Sequence, residues 1–157
     1  MKYINPTLLR HCMNLWPPFL GAGIYVERIS SDYREASVRL KHGLLNRNIL
    51  GVHFGGSLFA MTDPFFMLII SKNLGSNYIV WDQAANIQFL KPGKGKVSAQ
   101  FQITQPQIDE LVLQAHSGDK ILRDFIVDVR DAQGDVVARV TKTIYVRKKR
   151  APTDAGA

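Results

Sequence analysis

Two residue spacings in this sequence are suited to chemistry. Gly55-Gly56 opens an apolar stretch, and Asp63 stands eight residues beyond Gly55 within it. Adjacent glycines at a helix start let backbone approach a ligand closely, and the free first-turn N–H groups, with the positive end of the macrodipole, suit negative charge. A developing oxyanion would fit there. Asp63 is a carboxylate in apolar company, where desolvation raises a carboxyl pKa unless a partner compensates. Such a group can serve as general base or nucleophile. Both features also have plain structural readings: a diglycine that packs helices closely, and a carboxylate that caps the next helical segment.

The element that must carry these residues runs from Val52 to Ile70. From Phe54 onward nearly every residue is apolar or small, and a helix apolar on all sides must be wrapped by protein. Thr62, Asp63, Pro64 and the glycine pair interrupt the run, so it lacks the roughly 18 uninterrupted apolar residues of a membrane span. It reads as a long, buried central helix ending near Gly75. Pro64 deprives the Ala60 carbonyl of its donor, which predicts a kink or break beside Asp63.

Around this helix the pattern predicts a sheet. Asn5-Pro6 starts an N-terminal helix over 5–16, with Leu8, Leu9, Cys12, Met13 and Trp16 at helical spacing before Pro17-Pro18. The Cys12 thiol is expected to be buried. Ile24 to Ile29 and Arg34 to Lys41 predict two antiparallel strands, and Leu44 to Gly51 a polar loop. Tyr78 to Leu90 reads as a strand with Ala85, Ile87 and Phe89 on one face. The basic turn Lys91 to Lys96 leads to a returning strand from Val97 to Ile103. Gln105-Pro106 starts a short helix with Ile108, Leu111, Val112 and Ala115 on one face. Phe125, Val127 and Val129, then Ala138, Val140, Ile144 and Val146, predict a closing hairpin. The expected class is α+β: one six-stranded antiparallel sheet wrapped around the central helix. A single domain over 1–147 precedes a basic tail, 148–157, expected to be disordered. Sheet edges in such an arrangement invite a second copy, so a homodimer, or a tetramer of two dimers, is expected.

Composition narrows the function classes. At 157 residues, 46% hydrophobic and 21% charged, the chain suits one globular soluble domain. The single cysteine excludes an internal disulfide, and the start Met-Lys-Tyr-Ile-Asn-Pro has no signal-like apolar region, which predicts a cytoplasmic location. The net charge of +7 fits a phosphate-bearing small molecule. No aromatic-basic platform accompanies it, so neither nucleic acid nor a membrane is expected as a partner. His11, His42 and His116 lack metal-ligand spacing, and no metal is expected. Ser57 lacks the Gly-x-Ser-x-Gly elbow, and there is no phosphate-loop or dinucleotide fingerprint.

With these residues the chain resembles the hotdog-fold thioesterases, and more narrowly the bacterial group of hotdog proteins known as DUF4442. The resemblance spans roughly Pro17 to Arg147. It rests on Asn46-Arg47-Asn48, the run His53 to Pro64, Trp81-Asp82 and Phe89-Leu90-Lys91-Pro92-Gly93. In phenylacetate-pathway-like members a His-Gly-Gly opens the helix, with an acid eight positions after the first glycine and an asparagine seven before it. Gly55, Asp63 and Asn48 keep both spacings. The resemblance implies an acyl-thioester hydrolase in which Gly55 and Gly56 polarise the carbonyl, Asp63 is base or nucleophile, and Asn48 orients water or substrate.

Two departures stand out. Phe54 takes the place of the family's histidine, with His53 displaced by one, and Pro64 directly follows the acid. His53 is therefore either a catalytic or orienting group or a hydrogen-bonded structural residue. Asp82 is either a second polar group of the site or a solvent-facing strand residue. Phe54, Phe59, Met61, Phe65 and Phe66 would suit an acyl or aryl group. Lys91, Lys94 and Lys96 would meet the phosphates of coenzyme A, which enters only as part of the substrate, so no cofactor is expected. The alternative is a non-catalytic protein that holds an acyl-CoA in the same groove.

Overall fold

The computed structural model describes residues 4–150. Helix α1 (Pro6–Leu15) starts at Asn5, whose side chain accepts from the Thr7 N–H at 2.8 Å. Pro17-Pro18 ends α1 but also starts α2 (Pro17–Ala22), because proline suits a first helical turn as well as it stops a preceding helix. Strands β1 (Ile24–Ile29) and β2 (Glu35–Leu40) follow, then α3 (Gly55–Ala60), α4 (Phe65–Leu74), β3 (Tyr78–Phe89) and β4 (Val97–Gln102). Helix α5 (Gln105–Gln114) and a 3-10 turn precede β5 (Ile121–Arg130) and β6 (Val136–Lys148). The strands form one antiparallel sheet in the order β1-β2-β4-β5-β6-β3.

The sheet wraps α4, which buries Phe65, Phe66, Leu68, Ile69, Ile70 and Leu74. Phe101 of β4 stacks on Phe65 with ring centroids 4.8 Å apart and meets Phe66 edge-on at 5.3 Å. Phe66 in turn stacks on Phe125 of β5 at 5.1 Å. The long central helix is in fact two segments. The Asp63 N–H donates to the Ala60 carbonyl at 3.2 Å, one residue earlier than a helix would, and Pro64 then begins a new register. Asp63 thus sits at the break between α3 and α4.

The two edges of the sheet differ. Along β1, Asn14 of α1 accepts from the Val26 N–H at 2.7 Å and donates to its carbonyl at 3.1 Å, while Arg10 donates to the Glu27 carbonyl at 3.1 Å. Along the other edge, the 12-residue β3 pairs with β6 alone and carries neither proline nor lysine. A long edge without such guards is a template for another strand.

Three expectations need correction. Cys12 is exposed, because α1 rests on the core only through Leu9 and Met13. Val112 is also exposed, since α5 packs through Ile108, Leu111 and the following Ala115. The basic run begins inside the sheet: Lys148 ends β6, and the Lys149 N–H donates to the Asn77 carbonyl at 2.8 Å. The rest of the expected disordered tail, 151–157, lies outside the described residues.

Candidate active site

The loop before α3 is held by its own polar side chains. Asn46 is buried, accepts from the Gly43 N–H at 2.7 Å and donates to the Ala22 and Lys41 carbonyls. Asn48 Oδ1 accepts from the N–H groups of Leu50 at 3.0 Å and Val52 at 3.3 Å. Its amide oxygen therefore shapes the loop, and its side chain lines the groove beside Gly55.

His53 ties this loop to the basic turn. Its N–H donates to the Gly93 carbonyl at 3.0 Å, and its ring Nε2–H donates to the Gly95 carbonyl at 2.7 Å. The ring is buried, lies edge-on to His42 at 4.9 Å, and leaves Nδ1 without a hydrogen-bond partner. Burial holds the His53 imidazole below its ordinary value of 6.5; the Gly95 bond opposes this, and the His42 charge adds to it. The unfolded chain takes up the proton more readily than the folded one, so stability falls as pH drops below 6.5. Melting temperature is expected to decline as pH drops from about 6.5 toward 5, and His53→Gln to flatten that decline. An equal slope in both proteins would exclude His53 as the cause.

The Gly55 and Gly56 N–H groups have no backbone acceptor among the described residues. Helix α3 has only six residues, so its macrodipole is small and these act as two individual donors. A Cβ at Gly55 would lie 3.0 Å from the Phe89 ring, and one at Gly56 would collide with the Phe54 ring. The glycines are thus what let two half-exposed aromatic rings close over this turn. A groove of about 430 Å³ runs here, lined by Asn48, His53, Gly55, Phe89 and Lys91 among others.

At the far end of α3 the structure assembles a charged cluster. Lys142 Nζ donates to Asp63 Oδ1 at 2.9 Å and lies 3.1 Å from Asp82 Oδ1. The Phe59 ring centroid is 5.8 Å from the same ammonium. Lys142 is fully buried, Asp82 is 23% exposed and Asp63 is 59% exposed. Asp63 is accordingly neither desolvated nor unpaired, and it does not cap α4, whose N-cap is Pro64 with no side-chain bond. Burial pushes the Asp82 carboxyl above its usual 3.8, with the Lys142 charge opposing and Asp63 reinforcing the rise.

A β-bulge puts Asp82 there. In register, Val80 faces Val146 and Asp82 faces Ile144, but Ala85, not Ala84, faces Lys142, because Gln83 is extra. The extra residue switches parity, so Asp82 shares the inner face with Ala85, Ile87 and Phe89. Strict alternation would have turned it outward. Lys142 is the residue sequence reasoning passed over. Its signal is a lysine in the inward series Ala138, Val140, Lys142, Ile144, Val146 of β6, the other four of which are fully buried.

Other candidates fall elsewhere. Met61, Phe65 and Phe66 are buried in the core, whereas Phe54 is exposed and Phe59 half-buried. Lys91 is ion-paired with Asp131 at 2.7 Å and Asp135 at 2.6 Å, while Lys94 and Lys96 are exposed. Among the described residues no three His, Cys, Asp or Glu side chains are grouped to hold a metal, and no helix is long and apolar enough to cross a membrane.

The family description DUF4442, a domain of unknown function, matches residues 6–146. The chain belongs to the DUF4442 family. The match takes in α1, which the sequence resemblance left out. Among solved structures, a Pseudomonas aeruginosa protein of unknown function superposes with a TM-score of 0.81 at 20% identity, over 91% of this chain and 96% of that one. A thioesterase from Haemophilus influenzae gives 0.67 at 15% identity, over 97% and 96%. The Escherichia coli PaaI protein of the phenylacetic acid degradation operon gives 0.57 at 16% identity, over 90% and 91%. At such identities the likeness is one of architecture, and that architecture is the hotdog fold. No curated protein matches the DUF4442 chain.

Proposed function

We propose that this DUF4442 protein hydrolyses acyl thioesters, with Asp63 as the reacting carboxylate. The observation that carries this reading is the Asp63 side chain itself. One oxygen is held at 2.9 Å by a buried ammonium, and the side chain is otherwise exposed at a helix break. Held in this way, the carboxylate is oriented, with its second oxygen left free. Acting as base, its free oxygen removes a proton from water while the new C–O bond forms, and collapse of the tetrahedral intermediate expels the thiolate. Acting as nucleophile, it attacks the thioester carbonyl and expels the thiolate as the C–S bond breaks, and water then hydrolyses the resulting mixed anhydride to the free acid and the restored Asp63 carboxylate.

The second half of the site is the pair of N–H groups at Gly55 and Gly56, placed to polarise the thioester oxygen. Within one chain the two halves are too far apart. Eight residues of mostly helical rise separate Gly55 from Asp63 by about 12 Å, against a catalytic reach of about 3 Å. The reading therefore includes a homodimer formed through the open β3 edge, in which Gly55 of one copy works with Asp63 of the other in a groove between subunits. Light scattering at micromolar concentration tests it, and a monomer there removes this arrangement. The apolar rims supplied by Phe54 and Phe89 suit an acyl or aryl group. Lys94 and Lys96, unlike the paired Lys91, offer charge for coenzyme A phosphates.

The deciding experiment is release of free thiol from a panel of acyl-CoA thioesters. Tight binding without thiol release would instead establish a non-catalytic acyl-CoA holder. Gly55→Ala gives a second expectation. Alanine is favoured over glycine in helices by about 1 kcal/mol and the exposed Phe89 ring has room to yield, so the melting temperature should hold or rise. Turnover should fall about 10²-fold, because the methyl displaces the carbonyl from its donors by an ångström or so. Unchanged turnover would take Gly55 out of the site.

A further inference from the structure

We propose that Lys142 is the positioning residue of the site: its ammonium bridges Asp63 and Asp82 and holds the Asp63 carboxylate by one oxygen, leaving Oδ2 free for chemistry. This rests on the thioesterase reading of Asp63. Burial of the lysine is the first support. Its four partners in the inward series of β6, Ala138, Val140, Ile144 and Val146, are fully buried and apolar, and Lys142 is as buried as they are. Its neighbours across the sheet are Ala85 of β3 and Phe125 of β5, neither of which can pair a charge. Desolvating an ammonium there costs several kcal/mol, and an apolar residue of similar volume would pack as well, so stability alone gives no reason for it.

Geometry supplies the second support. The ammonium has three N–H groups: one is donated to Asp63 Oδ1 at 2.9 Å, Asp82 Oδ1 is 3.1 Å away, and the remaining face looks toward the Phe59 ring. The partners arrive on three different elements, with Asp63 from the α3–α4 break, Asp82 from the bulge of β3 and Lys142 from β6. A helix break at Pro64 and a parity-switching bulge at Gln83 are both required to bring them together. Among the described residues, the charged groups paired around Asp63 are Lys142 and Asp82, and α3 contributes the uncharged Phe59.

Losing the ammonium should act through Asp63. Without its anchor, the carboxylate should wander, lowering kcat by about 10²-fold with KM little changed. The experiment compares kcat and KM of wild type, Lys142→Met, Lys142→Arg and Asp63→Asn, and the double variant Lys142→Met/Asp63→Asn, on one acyl-CoA substrate. Lys142→Met/Asp82→Asn serves if Lys142→Met alone does not fold, because it removes the carboxylate left unpaired in the interior.

The expected result is a lower kcat with KM little changed in Lys142→Met, partial rescue by Lys142→Arg, and no further loss when Lys142→Met is added to Asp63→Asn. A Lys142→Met protein, or the Asp82-corrected double variant, with wild-type kcat overturns the inference while leaving Asp63 catalysis intact. Additive losses also overturn it, since they mark a purely structural lysine. A wild type that releases no thiol from any substrate overturns the function and this inference together.

Discussion

Asp63→Asn is expected to lower thioester turnover by roughly 10² to 10⁴, the range for losing a positioned acid or base. The fold and ligand affinity should persist. Asparagine keeps the size of aspartate, and its side-chain oxygen can still accept from Lys142, which also retains the nearby Asp82 charge. The side chain is 59% exposed, so solvent screens much of the lost ion pair and the stability change should be small. A carboxylate whose purpose was to cap α4 would behave in the opposite way, losing tenths to about 1 kcal/mol of stability and no activity. That alternative already lacks its hydrogen bond, because α4 begins at Pro64 without a side-chain cap. Hydrolysis rate and melting temperature measured on one Asp63→Asn sample separate the two, and unchanged hydrolysis would remove Asp63 from the mechanism.

Phe101→Ala should have the largest effect on stability, a loss of about 3 to 5 kcal/mol. Phe101 is 1% exposed and touches both aromatic rings at the start of α4, at 4.8 Å and 5.3 Å. Removing it leaves a cavity that neither the sheet nor α4 can close without moving the other. For a domain of this length each kcal/mol is worth roughly 2 to 4 °C, so the midpoint should drop by about 6 to 20 °C. The same rings set where α4 begins and hence where Asp63 stands, so residual activity should fall as well. Leu113→Ala, at a side chain 76% exposed, serves as the control and should stay within about 0.5 kcal/mol. A Phe101→Ala loss no larger than the control's would mean that the aromatic cluster does not anchor α4.

By itself the sequence determined the elements and their order. Helical spacing after Asn5-Pro6, alternation in Val97 to Ile103 and the all-apolar run from Phe65 are local patterns, and most strands and helices appear within a residue or two of their expected bounds, although β5 starts at Ile121, four residues before the expected Phe125. Helix α2 and the 3-10 turn after α5 were hidden; in the first case Pro17-Pro18 reads equally as the end of one helix and the start of another. The break beside Asp63 was legible too, since a proline's missing N–H is a local fact. What only the tertiary structure decided was which side chains meet. Asp82 reaches the inner face because Gln83 bulges, and a bulge follows from the register of β3 against β6, some sixty residues away. Lys142 finds Asp63 across 79 positions of sequence, and His53 fastens to the Gly95 carbonyl across 42. Cys12 and Val112 lie outside the core for a related reason: helical spacing defines a face, but the width of that face that is covered depends on what packs against it. Periodicity is set by the chain's own geometry, whereas partnership between charges is set by how separate elements dock, and a docking distance leaves no mark in the local pattern.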